Sequence, residues 1–177
     1  MLPAQFEQLA QAISICFLQH YHHSTDVTLL ARKLQGKRIL VIEDDDDHWQ
    51  LIRQGINRHL PGVNVVNTID AAGTVNFLQD TLGLPMPELI ILDLYLPTRE
   101  LGLELLAWIR DFLARQKQPP VIIVFSSSGH QQDIGQSYAV GANAYLVKTE
   151  NLTRSVSYFK HLCYFWWDTV TLPYKGF

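Results

Sequence analysis

The stretch Arg38-Ile39-Leu40-Val41-Ile42-Glu43-Asp44-Asp45-Asp46-Asp47 constrains the chain more than any other. Four apolar residues, three of them β-branched, run directly into five consecutive carboxylates. An apolar run of this length bounded by charge reads as a strand covered on both faces, which is the position of a strand inside a parallel sheet. Acids at the carboxyl end of such a strand lie where open α/β sheets bind their ligands. Five negative charges together are costly unless a cation or charged substrate accompanies them. Asp also suits a helix N-cap and first turn. That role is assigned to Asp46 and Asp47, and Asp45 is placed at the edge of a site. Glu43 and Asp44, still attached to the strand, are read as cation ligands.

The rest of the chain supplies a sheet for that strand. From Gly36 onward, apolar strands alternate with amphipathic helices across short connections, which predicts a doubly wound α/β domain. The first helix is expected from Asp47 to His59, stopped by Pro61-Gly62, and an edge strand over Val63 to Val66. A second helix over Ala71 to Leu82 would bury Val75, Leu78 and Leu82. The third strand, Glu88 to Asp93, again ends in a carboxylate. A helix over Leu101 to Gln116 carries Leu105, Leu106, Ile109 and Leu113. The fourth strand, Val121 to Phe125, runs into Ser126-Ser127-Ser128, and a weakly patterned polar helix spans Gln131 to Val140. The fifth strand, Ala144 to Val147, ends at Lys148, and a last helix is expected from Asn151 to Trp167. Ahead of the domain, Leu2, Phe6, Leu9, Ile13, Cys16 and Phe17 recur at helical spacing, so residues 1–35 are read as an N-terminal helical extension. Residues 36–168 form the domain and 169–177 a tail.

Composition narrows the function classes. Fourteen basic against seventeen acidic residues give a net charge of −3, and the acidic run accounts for five of those acids. No basic stripe remains for a phosphate backbone, so nucleic acid is not an expected partner. No apolar run approaches the ~20 residues that span a bilayer, and the start of the chain lacks a signal-peptide pattern. A cytoplasmic protein without a membrane role is expected. Two distant cysteines, Cys16 and Cys163, do not make a disulfide framework.

Parallel strands set their carboxyl ends on one rim, so Glu43, Asp44, Asp93, Ser126 and Lys148 are expected to converge. Three carboxylates at that distance repel one another unless a divalent cation neutralises them, and hard oxygen ligands suit Mg²⁺ better than Zn²⁺. Carboxylates, a hydroxyl and an ammonium together fit a transferred phosphoryl group. Asp93, alone at its strand end, is then the nucleophile. The serine run leaves both Ser126 and Ser127 open as the hydroxyl.

At these residues the chain resembles the receiver domain of two-component response regulators, the CheY-like fold. The matching stretches are Ile39 to Asp45, Leu89 to Pro97, Val124 to Ser126 and Gly141 to Lys148. The resemblance implies a five-stranded parallel sheet of order 2-1-3-4-5, with Asp93 accepting phosphate from a sensor histidine kinase. It implies Mg²⁺ held by Glu43, Asp44, Asp93 and the backbone carbonyl of Tyr95. Ser126 and Lys148 would contact the phosphoryl group, and Tyr145 would act as an aromatic switch. Phe165-Trp166-Trp167 through Pro173 looks like the end of single-domain, phytochrome-associated (Rcp-type) regulators. That implies a bacteriophytochrome-class kinase, a red-light pathway and a homodimer. Two departures stand out: Thr149 follows Lys148 where the family usually has proline, and the turn from Pro97 to Gly102 is one residue longer. Tyr95 and Ser128 occupy the positions flanking the attacking water, and neither is a carboxylate or amide, which implies slow self-dephosphorylation. The expected function is therefore a phosphoacceptor module, not an enzyme acting on a separate substrate. The alternatives are a Mg²⁺-dependent phosphohydrolase with an aspartyl nucleophile and a receiver-like scaffold that is never phosphorylated.

Overall fold

The computed structural model describes residues 34–114 and 119–148. The N-terminal extension, the helix expected from Asn151 to Trp167, the tail and the peptide after Lys148 lie outside them. Five strands form one parallel sheet: β1 (Arg38–Ile42), β2 (Asn64–Thr68), β3 (Leu89–Leu92), β4 (Val121–Ser126) and β5 (Ala144–Val147). Their spatial order is β2-β1-β3-β4-β5, so the chain winds outward in both directions from β1. Four described helices connect them: α1 (Asp46–His59), α2 (Ala71–Asp80), α3 (Arg99–Leu113) and α4 (Gln131–Val140). The α/β class and strand order are those expected.

The apolar strand runs are continuous because the sheet is covered on both faces, and their period of two divides them between two cores. Ile39, Val41, Leu89, Ile91, Val121, Ile123 and Phe125 face Ile52, Ile56 and Leu60 from α1 and its end, together with Leu34. Leu40, Ile42, Ile90, Leu92, Ile122 and Val124 face Leu78 of α2 and Leu105, Leu106, Ile109 and Leu113 of α3. Burying each such side chain contributes roughly 1.5–3 kcal/mol, so the strand interiors are the best-anchored part of the domain.

Three of the four described helices start on a side-chain cap. Asp45, Asp70 and Thr98 accept hydrogen bonds from the backbone N–H of His48, Gly73 and Leu101 respectively. Helix α2 ends at Asp80, short of the expected Leu82, so Leu82 is 53% exposed and not a core residue. Thr74 takes the buried place instead, its hydroxyl bonded to Asp70 O and Thr68 Oγ1 at 2.7 Å. Helix α3 starts two residues earlier than expected because Thr98 caps it. Strand β2 begins one residue later than expected and continues to Thr68, following β1 to its last residue.

At the amino edge of the sheet one side chain ties three segments together. Arg110 of α3 donates to Gly141 O, to Pro120 O (3.1 Å) and to Asn143 Oδ1. Asn143 Oδ1 also accepts from the N–H of Ile122 at 2.8 Å. Gly141 closes α4 at φ 113°, a left-handed conformation that glycine adopts without strain. Among the described residues, no helix is long and apolar enough to cross a membrane.

Candidate phosphoacceptor site

The carboxyl edge of β1 and β3 is built before any side chain is placed there. The N–H of Glu43 bonds Thr68 O at 3.0 Å, and the N–H of Asp93 bonds Ile42 O at 2.9 Å. Both residues therefore continue the sheet ladder and have little freedom. Asn67 of β2 reinforces this end. Its Nδ2 lies 3.2 Å from each of the carbonyl oxygens of Val41, Glu43 and Thr68.

Glu43, Asp44 and Asp93 each present a carboxylate oxygen within 4.8 Å of the other two. Glu43 is 2% exposed and Asp93 8%, while Asp44 is exposed. Two buried acids and one open acid, all hard oxygen donors, fit a divalent cation that keeps part of its water shell. Lys148, one residue past β5, reaches across to them. Its Nζ is 2.8 Å from Glu43 Oε2 and 2.8 Å from Asp93 Oδ2. The ammonium also stands 5.6 Å from the centre of the Phe125 ring. Burial pushes the Glu43 carboxyl above its ordinary range, and the hydrogen bond and charge of Lys148 pull against it. The second oxygen of Asp93 accepts from the N–H of Tyr95 at 3.1 Å.

The hydroxyl ambiguity has a geometric side. Ser126 ends β4 and is fully buried, whereas Ser127 is exposed. The Oγ of Ser126 accepts from the N–H of Ser128 at 3.2 Å. Tyr145 is half-buried, and its hydroxyl donates to Ser128 O at 2.9 Å. Burial pushes the Tyr145 phenol up, with hydrogen bonds to Ser126 and Ser128 opposing. Thus Glu43, Asp44, Asp93 and Lys148 form one contact cluster, and Ser126 and Tyr145 form a neighbouring one joined through Ser128.

Two participants had not been anticipated. His48, in the first turn of α1, places Nδ1 3.3 Å from Glu43 Oε1 and 3.2 Å from Lys148 Nζ. A histidine directly after the acidic run was the available clue. Asp133, in the polar helix α4, is only 4% exposed and is bonded by Tyr95, Arg99 and Ser128. Asp45 is the N-cap of α1, with its carboxyl held below the ordinary range chiefly by the His48 N–H bond.

Comparisons with known proteins agree with this geometry. The pattern that defines the response regulator receiver domain matches residues 39–159. Response regulator Rcp1 of Synechocystis sp. is 31% identical over 140 residues, covering 77% of this chain and 93% of that protein. The crystal structure of the phosphorylated cyanobacterial phytochrome response regulator RcpA matches with a TM-score of 0.67 at 30% identity, covering 77% of this chain and 98% of that one. The Mn²⁺-bound form of Rcp1 matches with a TM-score of 0.65 at 30% identity, covering 77% and 99%.

Proposed function

The chain belongs to the response regulator receiver family, and on that premise we propose that it accepts a phosphoryl group on Asp93 from a sensor histidine kinase in a Mg²⁺-dependent reaction. The observation that carries this reading is the setting of Asp93. It is a buried carboxylate 2.8 Å from the Lys148 ammonium and within 4.8 Å of two further acids. A relative solved in a phosphorylated form and one solved with Mn²⁺ support it.

In the forward step a carboxylate oxygen of Asp93 attacks phosphorus, and the bond from phosphorus to the kinase imidazole nitrogen breaks. The electron pair leaves with that nitrogen, and Asp93 becomes an acyl phosphate. Glu43, Asp44, Asp93 and the carbonyl of Tyr95 would hold the divalent ion, whose positive charge balances the phosphoryl oxygens. Lys148 supplies a second positive charge on a side chain that is 5% exposed, where water screens it little. Ser126 presents its hydroxyl from the adjacent strand end, and Tyr145 reports the state of that loop through Ser128.

Output runs through protein–protein contact, with a phytochrome-class kinase upstream and a homodimer as the working form. Phytochrome regulators among the relatives support the first. The aromatic cluster Phe165-Trp166-Trp167 supports the second. The test is incubation with acetyl phosphate and Mg²⁺ followed by intact-mass measurement. One acid-stable, base-labile phosphoryl adduct is expected in the natural chain and none in Asp93→Asn. Steady release of phosphate without an adduct would point to a phosphohydrolase, and no reaction to an unphosphorylated scaffold.

A further inference from the structure

Asp133 is a buried acid that the phosphoacceptor chemistry leaves without a task. Its Oδ2 accepts the hydroxyl of Tyr95 at 3.0 Å and the hydroxyl of Ser128. Its Oδ1 pairs with Nε of Arg99, whose guanidinium also reaches Gln136 and Glu100. Tyr95 lies two residues beyond Asp93 at the end of β3, and Ser128 two residues beyond Ser126 at the end of β4. Strands β3 and β4 are neighbours. The carboxylate of Asp133 therefore bridges the two loops that overhang the carboxyl edge where Asp93 stands.

We infer that Asp133 is a positioning residue that fastens Tyr95 and Ser128 across the mouth of the site and so slows hydrolysis of the phosphoryl group. The inference rests on Asp93 being the phosphoacceptor. In hydrolysis a water oxygen bonds to phosphorus as the bond from phosphorus to the Asp93 oxygen breaks. The electron pair stays on the carboxylate, and water gives up its proton as inorganic phosphate leaves. Entering and leaving oxygens lie roughly in line, so water must approach opposite Asp93, from the side of the overhanging loops. The phenol of Tyr95 and the hydroxyl of Ser128 each spend their one O–H on Asp133, so neither has a proton left to donate in orienting an attacking water, and the bridge holds the two side chains together. Releasing the bridge frees both groups and opens the approach.

The experiment labels the full chain with radioactive acetyl phosphate and Mg²⁺, removes donor by rapid desalting and follows the bound label. The natural chain should lose label slowly; a half-life of seconds overturns the inference. Tyr95→Phe removes one hydroxyl and keeps the ring, and Asp133→Ala removes the bridge. Each should speed loss about fivefold to tenfold, the scale of one hydrogen bond expressed as a rate. Asp133→Asn keeps an acceptor oxygen for both hydroxyls and should stay within about twofold of the natural rate. The double variant should be no faster than Asp133→Ala alone. Should Asp133→Ala fail to fold, Tyr95→Phe decides the matter by itself. Variants that take up label but lose it at the natural rate overturn the bridge alone. No label on the natural chain overturns the phosphoacceptor reading and the inference with it.

Discussion

Gly102 offers a test in which the usual rule for helices should reverse sign. Alanine is favoured over glycine inside a helix by about 1 kcal/mol. At Gly102, in the first turns of α3, an added Cβ would lie 1.9 Å from the carbonyl oxygen of Leu94 and 2.7 Å from its carbon. Ordinary contacts between such atoms are about 3.5 Å, so backbone must retreat by about 1.5 Å. No side-chain rotation relieves a clash with backbone. Overpacking of a buried site costs about 1–3 kcal/mol, and this one belongs at the upper end. A loss of about 3 kcal/mol lowers the Tm of a chain this size by about 6–12 °C. Gly135, in α4, is the internal comparison: it is exposed and nothing lies within 4 Å of its added Cβ. Gly135→Ala should raise stability by about 0.5–1 kcal/mol. Both are measured by urea titration and thermal melts followed by circular dichroism. The displaced backbone belongs to the residue before Tyr95, so Gly102→Ala should also weaken divalent-ion binding. A Gly102→Ala protein as stable as the natural one would refute the close approach of α3 to the loop after β3.

Lys148→Met removes the charge lying 2.8 Å from both Glu43 and Asp93, leaving two buried acids uncompensated. Its Tm should fall in chelator and rise more on adding Mg²⁺ than that of the natural chain; equal rises would contradict competition between ammonium and cation. Asp133 has its carboxyl held below the ordinary range, burial being outweighed by bonds from Ser128, Arg99 and Tyr95. The folded state thus binds this proton less readily than the unfolded chain. The stability gap between natural protein and Asp133→Ala should be full above the unfolded value of about 4 and shrink as pH falls through the lower folded value. A gap that widens on acidification, measured by urea titration, would show the sign to be wrong. Replacing Trp166 and Trp167 by alanine should convert a dimer to monomer by light scattering, and an unchanged mass refutes that interface.

How far the sequence could be read depended on where each residue's partners lie. Strands β1, β3 and β4 were legible because burial on both faces leaves nothing but apolar residues between their charged or hydroxyl ends. The cluster of Glu43, Asp44 and Asp93 followed from parallel topology alone, since Glu43 and Asp93 are the first residues after β1 and β3 and Asp44 follows Glu43 directly. Leu82 was misplaced because periodicity continued past the point where Thr81 stops α2; its hydroxyl bonds back to Phe77 O and Leu78 O. Asp133 was invisible for a different reason. Helix α4 turns Asp133 and Ser137 inward, so its buried face is polar and carries no apolar stripe to detect. The partners that satisfy Asp133 stand up to 38 residues away in sequence. Asn67 likewise reads as an ordinary strand residue until β1 is laid beside it.

The Arg110 tie at the amino edge has a mechanical meaning. It holds the turn before β5 and the start of β4 to α3, while Lys148 hangs at the opposite end of β5. Four strand residues make a lever of about 13 Å. The N–H of Lys148 bonds Ser126 O at 2.7 Å, so a tilt of about 10° about the fixed end, which would carry the backbone at Lys148 about 2 Å, would have to take the end of β4 with it. The same tilt would leave Gly141 and Asn143 nearly still. Such a tilt would reach the residue that touches both buried acids together with the serine at the end of β4.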